Sequence, residues 1–428
     1  MLKSCLNFLT SLRLTVVLLG LALILVFAGT LAEVHMGLYD AQAAIFRSFF
    51  VRWTPPGTHL RIPVFPGGWF IGLALLLNLL AAHIKRFHFS KKKIGILLIH
   101  SGLILLLAGQ FFTEQFQIES LMRLPVGASC NYSEDSRRHE LAVIDVTDPA
   151  RDRVVSIPEP LLAKGGDIQP PGLPFALRVK TYFQNSAPAG PMSGGGAKLQ
   201  AGQGIGRQLL FAALPEAKRM DDENRPSALV EVVAGGHSLG DWTVSSWLAK
   251  PPLVQELQSE FGGLMQQPLT EPQEFQVAGR TYEIALRPVR YYKPYTITLL
   301  EFNHDIYAGT DIPSNFSSKI HLRDPARGED RDVLIRMNTP LRYGGETLYQ
   351  ASFEAGDRVS VLEVVRNPAA ITPYVACSLV AAGLIVQFLM HLAGFARKRA
   401  QDLQPFPRRG APPAQALQPA LAGKRSGP

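Results

Sequence analysis

Four apolar runs divide the chain, and one long polar segment, residues 114–371, lies between the third and the fourth. The runs are Leu14–Leu31, Trp69–Ile84, Ile94–Thr113 and Tyr374–Ala396, and none contains Asp, Glu, Lys or Arg. A helix crossing the hydrocarbon core needs roughly 17–25 mostly apolar residues. The second run is short by that measure, which leaves room for a start nearer Phe65. The pattern predicts an integral membrane protein with four transmembrane helices and a large β-rich extracytoplasmic domain between the third and fourth.

Charge gives the orientation. Lys3 and Arg13 precede the first run, Lys85, Arg86, Lys91, Lys92 and Lys93 fill the loop between the second and third, and Arg397, Lys398, Arg399, Arg408, Arg409, Lys424 and Arg425 follow the fourth. Against these stands one acid, Asp402, so the three segments carry a net +13 while the whole chain is +8. Excess Lys and Arg mark cytoplasmic segments. The resulting division is a cytoplasmic N-terminus and first helix (1–32), an outer loop (33–68), a helical hairpin with a basic cytoplasmic loop (69–113), the β-rich outer domain (114–371), the fourth helix (372–396) and a disordered cytoplasmic tail (397–428). Both termini are expected inside a bacterial cytoplasmic membrane. The basic balance is an orientation signal; nucleic-acid binding would need the charge gathered on the polar domain. The first run is longer than the ~7–15 residue core of a signal peptide, and Gly29-Thr30-Leu31-Ala32 is a poor cleavage site, so it is read as an uncleaved helix.

Three cysteines bound the redox chemistry. Cys5 is expected in the cytoplasm and Cys377 in the fourth helix, leaving Cys130 alone in the outer domain. No disulfide can form within that domain. The chain has no Cys-x-x-Cys and no Cys-x-x-Cys-His, which excludes a thioredoxin-like oxidoreductase and a c-type cytochrome. Cys130 is expected to be an inert, partly buried thiol.

Within 114–371, alternating apolar and polar residues predict strands at Glu140–Val146, Phe175–Tyr182, Ser227–Val233, Thr281–Arg287, Tyr295–Phe302, Ser317–Leu322 and Val359–Val365. Tyr343-Gly344-Gly345-Glu346 predicts a turn between strands. One helix is predicted over Leu253–Met265. Residues 185–206, rich in Gly, Ala, Ser and Pro, are read as a mobile loop, and the tail from Asp402 lacks apolar periodicity. The length suits one β-rich domain built of two packed sheets or subdomains.

The chemistry concentrates in membrane histidines. His83 ends the second run and His100 lies six residues into the third, about 9 Å along a helix. An ionisable residue at that depth faces a bundle interior or a ligand, and imidazole is a common axial ligand of haem iron. A hydrogen bond to a neighbouring helix is the plainer account of His100, and His83, His391 and His35 each have an interfacial one. His304, Asp305, Asp311 and His321 lie close in sequence but lack the spacing of a metal site. Trp53 and Trp69 suit an outer aromatic belt. Gly235-Gly236-His237-Ser238-Leu239-Gly240 is in the wrong order for a nucleophile elbow, which rejects a hydrolase.

Ser11-Leu12-Arg13-Leu14-Thr15 with Gly29-Thr30, the histidine-bearing IHSGLILLLAGQ (99–110), Met337-Asn338-Thr339-Pro340-Leu341-Arg342-Tyr343-Gly344-Gly345 and Leu348-Tyr349-Gln350-Ala351-Ser352-Phe353 together resemble the ResB/CcsB proteins of system II cytochrome c biogenesis, as does the topology of three spans, an outer domain and a fourth span. The resemblance implies a subunit that works with a CcsA/ResC-type membrane protein to carry haem b outward and support its attachment to apocytochromes c, with a thioredoxin-like thiol reductant as a further partner. It places His100 at the family's membrane histidine, an axial ligand of transiently bound haem, with His83 as a secondary candidate and the second ligand on the partner. The tryptophan-rich segment of the partner is absent, since Trp53, Trp69, Trp242 and Trp247 are all isolated. No residue can be named as acid, base or nucleophile, so the chain is read as a non-catalytic subunit of the haem-lyase complex. The alternative from another class is a membrane-anchored scaffold whose β domain binds an envelope protein, with no haem role.

Overall fold

The computed structural model describes residues 7–58, 60–86, 93–189, 197–217, 223–261, 269, 272–306, 309, 313–354 and 358–402. The four apolar runs are helices: α1 (Leu12–Met36), α2 (Gly68–Arg86), α3 (Ile94–Phe116) and, after the polar domain, α5 (Thr372–Asp402); α4 (Pro251–Phe261) belongs to that domain. All four are long and apolar enough to cross a membrane. Val16, Leu23, Phe27, Leu384 and Phe388 stand exposed on them, as a lipid-facing surface requires.

The helix limits have local causes. Ser11 caps α1, its Oγ accepting from the Arg13 amide at 3.2 Å, and Gly37, at φ 82°, ends it. The second helix does not start near Phe65. Phe65 and Pro66 belong to β2 (Ile62–Pro66), which pairs with β1 (Phe50–Trp53) in an antiparallel hairpin. Glycines then carry the chain from hairpin to helix: a Cβ on Gly67 would fall 2.1 Å from the Ser48 carbonyl oxygen, and one on Gly68 2.3 Å from that of Phe46.

Two tight pairings organise the helices. Buried Asn78 of α2 accepts from Thr15 Oγ1 at 2.7 Å and donates to the Leu9 carbonyl at 2.6 Å, joining α1 to α2. A polar side chain buried between apolar helices is stable only with such partners. The second pairing sets α3 against α5 along Gly95, Gly102 and Gly109, one face at seven-residue spacing. A Cβ on Gly102 would lie 2.7 Å from the Ala376 carbonyl oxygen, and one on Gly109 2.4 Å from Thr372 Cγ2. The backbones touch because no side chain intervenes.

The polar segment is β-rich throughout. Its main sheet has ten strands in the order β16 (Glu329–Arg336), β15 (Pro313–Asp324), β14 (Arg280–Ile306), β4 (Ser129–Asp145), β3 (Ile118–Pro125), β19 (Val359–Arg366), β18 (Glu346–Glu354) and β17 (Leu341–Tyr343), with β5 (Arg153–Pro158) on β4 and β13 (Glu274–Val277) on β14. A second sheet runs β12 (His237–Ser245), β11 (Ser227–Ala234), β7 (Ala176–Phe183), β6 (Gly166–Ile168). A small third sheet holds β8 (Ser186–Ala189), β10 (Leu210–Ala213) and β9 (Lys198–Leu199).

Two of the predicted strands, Thr281–Arg287 and Tyr295–Phe302, are one continuous β14. Its first half carries Tyr282, Ile284 and Leu286 into a core with Leu141, Val143, Phe175, Leu177, Val230 and Trp242. Its second half carries Tyr295, Ile297 and Leu299 into another core with Met122, Leu124, Ile320, Leu322, Leu348 and Leu362. Between them the pairing with β4 slips twice, at Pro288/Arg290 and at Tyr292/Ile297. Prolines 288 and 294 donate no ladder hydrogen bond, so the break in alternation is a bend within a strand rather than the end of one.

Residues 185–206 also depart from the expected loop. Of this stretch, 190–196 lies outside the described residues, but β8 and β9 both pair with β10 and Leu199 is buried with Leu209, Phe211 and Trp247. Small residues dominate here because strands and a helix approach closely: a Cβ on Gly206 would fall 2.6 Å from Ala201 Cβ and from Thr243 Oγ1. The predicted helix is α4, Pro251–Phe261; the rest of its expected span, 262–265, lies outside the described residues. The expected tail begins later than residue 397, because α5 continues as helix to Asp402, and residues beyond 402 lie outside the described residues. The predicted Gly344-Gly345 turn joins β17 to β18, with both residues at positive φ.

Candidate functional site

Helices α2 and α3 form an antiparallel hairpin through residues 87–92, which lie outside the described residues, so late positions of α2 meet early positions of α3. At one end Trp69 meets Phe111 edge to face, ring centroids 5.3 Å apart. At the other end, beside the basic loop, His83 and His100 bring their rings to 5.7 Å at 67°. Both are half-buried. The sequence offered His83 as an interfacial residue and His100 as a buried one; the hairpin register brings them together.

The position of His100 follows from the glycine face. One residue advances a helix by about 100°, so His100 and Gly102 point to nearly opposite sides of α3. The glycines hold α3 against α5, and that contact turns His100 toward α2. Lys85, in the last turn of α2, hydrogen-bonds Asn7 and, at 3.4 Å, Thr10 Oγ1, which ties this end of the hairpin to the start of α1. Asn78, one and a half turns before His83, fixes α2 against α1 from within. The signals for these supports were in the sequence: a lone Asn in an apolar run, and Gly95, Gly102 and Gly109 repeating every seven residues.

The remaining candidates are dispersed. His391 stands on α5, its Nε2 2.8 Å from Gln387 Nε2, and His35 is exposed in the last turn of α1. His304 packs between Phe316 and Phe353, with ring centroids 4.8 and 4.6 Å away. His321 lies elsewhere on the β14–β15 ladder, with Nδ1 2.9 Å from Asp332 and Nε2 3.0 Å from Asp330. Asp311 lies outside the described residues. Among the described residues no group of three His, Cys, Asp or Glu side chains is arranged to hold a metal ion. Gly235-Gly236 makes the tight turn from β11 to β12, both residues at positive φ.

Cys130 is half-buried against the second core, its Sγ donating to the Tyr132 carbonyl at 3.1 Å. Burial pushes the thiol up from its usual range, with opposing help from hydrogen bonds and from Arg290. An unactivated thiol of this kind is a poor nucleophile at neutral pH.

Comparison with known proteins adds two findings. Residues 269–361 match the family model described as the ResB-like family. That interval begins after α4 and runs through β13–β18 into β19, and it contains both C-terminal segments that carried the resemblance; the segments of α1 and α3 lie outside it. Protein NrfI of Wolinella succinogenes is 27% identical over 107 residues, which is 25% of this chain and 12% of that protein. The chain therefore aligns with only a small part of that relative's length.

Proposed function

Since residues 269–361 match the model of the ResB-like family, we propose that this chain serves in cytochrome c biogenesis as the subunit that receives haem within the membrane and passes it outward for attachment to apocytochromes c. The observation that carries this reading is the approach of His83 and His100 to 5.7 Å between two apolar helices. Haem is the cargo, and imidazole nitrogen is among its usual axial ligands. His100, deeper in the hairpin, is the primary ligand to the iron. His83, nearer the basic loop, meets haem first and offers it to His100. Lys85 and Lys93 at the same end attract the propionates. The excess of Lys and Arg in the basic segments supports a cytoplasmic position for this end in a bacterial cytoplasmic membrane, with the β domain outside. A CcsA/ResC-type partner supplies the other ligand as haem leaves. The chain's own part is to bind, orient and release, and the bond-forming step belongs to the assembled complex with its thiol reductant.

The test is the haem content of the purified full chain, read from its Soret absorbance, together with maturation of a reporter cytochrome c. His100→Ala should lose most of the haem, His83→Ala a smaller part, and the double variant nearly all. Added imidazole should restore maturation to His100→Ala by filling the vacated position. Full haem and full maturation in the double variant would remove the histidine pair as the haem site, and a parent chain that purifies without a Soret band would leave a membrane-anchored scaffold as the better reading.

A further inference from the structure

A second site lies where the β domain meets the helices. A cleft of about 280 Å³ is lined by Ile118, Ser120, Val364 and Arg366 on one side and by Arg290, Tyr291, Tyr292, Lys293 and Glu346 on the other. Its position is fixed by connectivity. Ile118 follows the end of α3 by two residues, and Arg366, its partner in the β3–β19 ladder, precedes α5 by six. Asn367 donates to Gln117 Oε1 at 3.1 Å and to Thr113 Oγ1 at 3.3 Å, clamping the two crossings together. The cleft therefore lies at the surface of whichever leaflet faces the β domain.

Its charge is lopsided. Lys293 is buried with Nζ 2.5 Å from Glu346 Oε1, and the Tyr295 hydroxyl donates to the other oxygen of Glu346 at 2.7 Å. Arg290 gives its Nε to Glu134 at 3.0 Å and stacks 4.2 Å over Tyr132, which leaves its terminal nitrogens as donors. Arg366 is exposed and has no ion pair among the described residues. The nearby acids Glu119 and Glu363 alternate with Ile118, Ser120, Val364 and Arg366 along their strands and so point to the opposite face. Two guanidinium groups with spare donors stand over a floor of tyrosine and aliphatic side chains. Planar guanidinium donors match carboxylate and phosphate oxygens, and the floor matches an apolar body.

We propose that this cleft binds the anionic head of a membrane-borne amphiphile, a carboxylate or a phosphate, with Arg366 and Arg290 as its cationic ligands. The site is remote from the histidine pair and stands or falls independently of it. Two sources offer this chemistry: the propionates of haem leaving the helices, and the phosphate of an acidic phospholipid.

The experiment uses the full chain in lipid nanodiscs, in the His83→Ala/His100→Ala background so that membrane ligation does not mask the cleft. Probes are haem, haem dimethyl ester, and nanodiscs of phosphatidylglycerol against phosphatidylcholine. Arg366 is exposed, so Arg366→Gln and Arg366→Glu should leave the fold intact; exposed Arg358, at the other end of β19, supplies the control Arg358→Gln. Loss of one charge-assisted contact predicts roughly ten-fold weaker binding for Arg366→Gln, and Arg366→Glu should be weaker still. Weaker haem binding with unchanged binding of the dimethyl ester assigns the propionates. Loss of the preference for phosphatidylglycerol assigns the lipid phosphate. If neither probe binds, or if Arg366→Glu binds both as the control does, the proposal is overturned. Haem loss on replacing the histidines alone bears only on the earlier reading.

Discussion

Gly102 and Ala376 touch backbone to backbone: a Cβ on the glycine would lie 2.7 Å from the carbonyl oxygen of the alanine. Helices packed this closely gain from dispersion and from contacts that a side chain would hold apart, which is the usual device for joining helices in lipid. Gly102→Val should therefore separate α3 from α5. The expected cost is about 1–3 kcal/mol, as for overpacking a filled core. It should show as a lower melting temperature in detergent and as loss of haem, because His100 shares the helix. Gly20→Ala, where the space is open, should melt like the parent. Equal melting of all three proteins would show that the glycine seam does not hold the helices.

Among the described residues Arg287 and Glu140 form the most buried ion pair of the β domain, Nε to Oε1 3.0 Å, with side chains only 6% and 5% exposed. Ser156 donates to the second carboxylate oxygen at 2.5 Å. Glu140→Ala leaves a guanidinium buried without its carboxylate, at an expected cost of about 3–5 kcal/mol. Replacing both partners with apolar residues should recover much of that loss. Denaturant unfolding followed by Trp242 and Trp247 fluorescence measures both. A single variant as stable as the parent would mean that water reaches Arg287.

His321 bridges Asp332 and Asp330 at the β15–β16 edge, and the hydrogen bond to Asp332 leads in raising its pKa above the ordinary 6.5. A raised histidine stabilises the fold in its protonated form. That contribution is complete below 6.5 and is lost as pH rises through the folded-state pKa. Amide exchange in β16, compared between the parent and His321→Gln on either side of this window, should show extra protection in the parent on the acid side only. The same pH response in both proteins would remove the bridge from the account.

The charge distribution predicts topology. A periplasm-active reporter fused after Thr113 should be active, and reporters fused after Lys93 or Arg399 should be active only if they work in the cytoplasm. A Lys91–Lys93 loop that proves accessible from outside would reverse the proposed direction of haem movement.

Much of this architecture was legible in the residues. Apolar runs without charge mark the four helices because the backbone must satisfy itself in lipid, and alternation marks the strands because one face of each is buried. The misreadings share a cause, which is that contacts remote in sequence decide them. Pro288 and Pro294 interrupt the pattern of β14, yet cores on both sides hold it as one strand. Gly206 and Ala201 read as loop until Thr243 is seen against them. His83 had a sufficient local explanation at the helix end. Its approach to His100 depends on how α2 and α3 align, and neither run states that alignment.

Asn367 and Thr113 join the end of α3 to the segment that leads into α5. In terms of chain economy, the β domain is an excursion that begins and ends at one place. The helices around the histidine pair thus register it as a short closed loop, whatever its length. Its outlying pieces, such as the β8–β10 sheet, are free to lengthen, shrink or diverge without re-aiming His100. A chain built this way can match closely in its last strands and differ widely in its middle while keeping one membrane architecture.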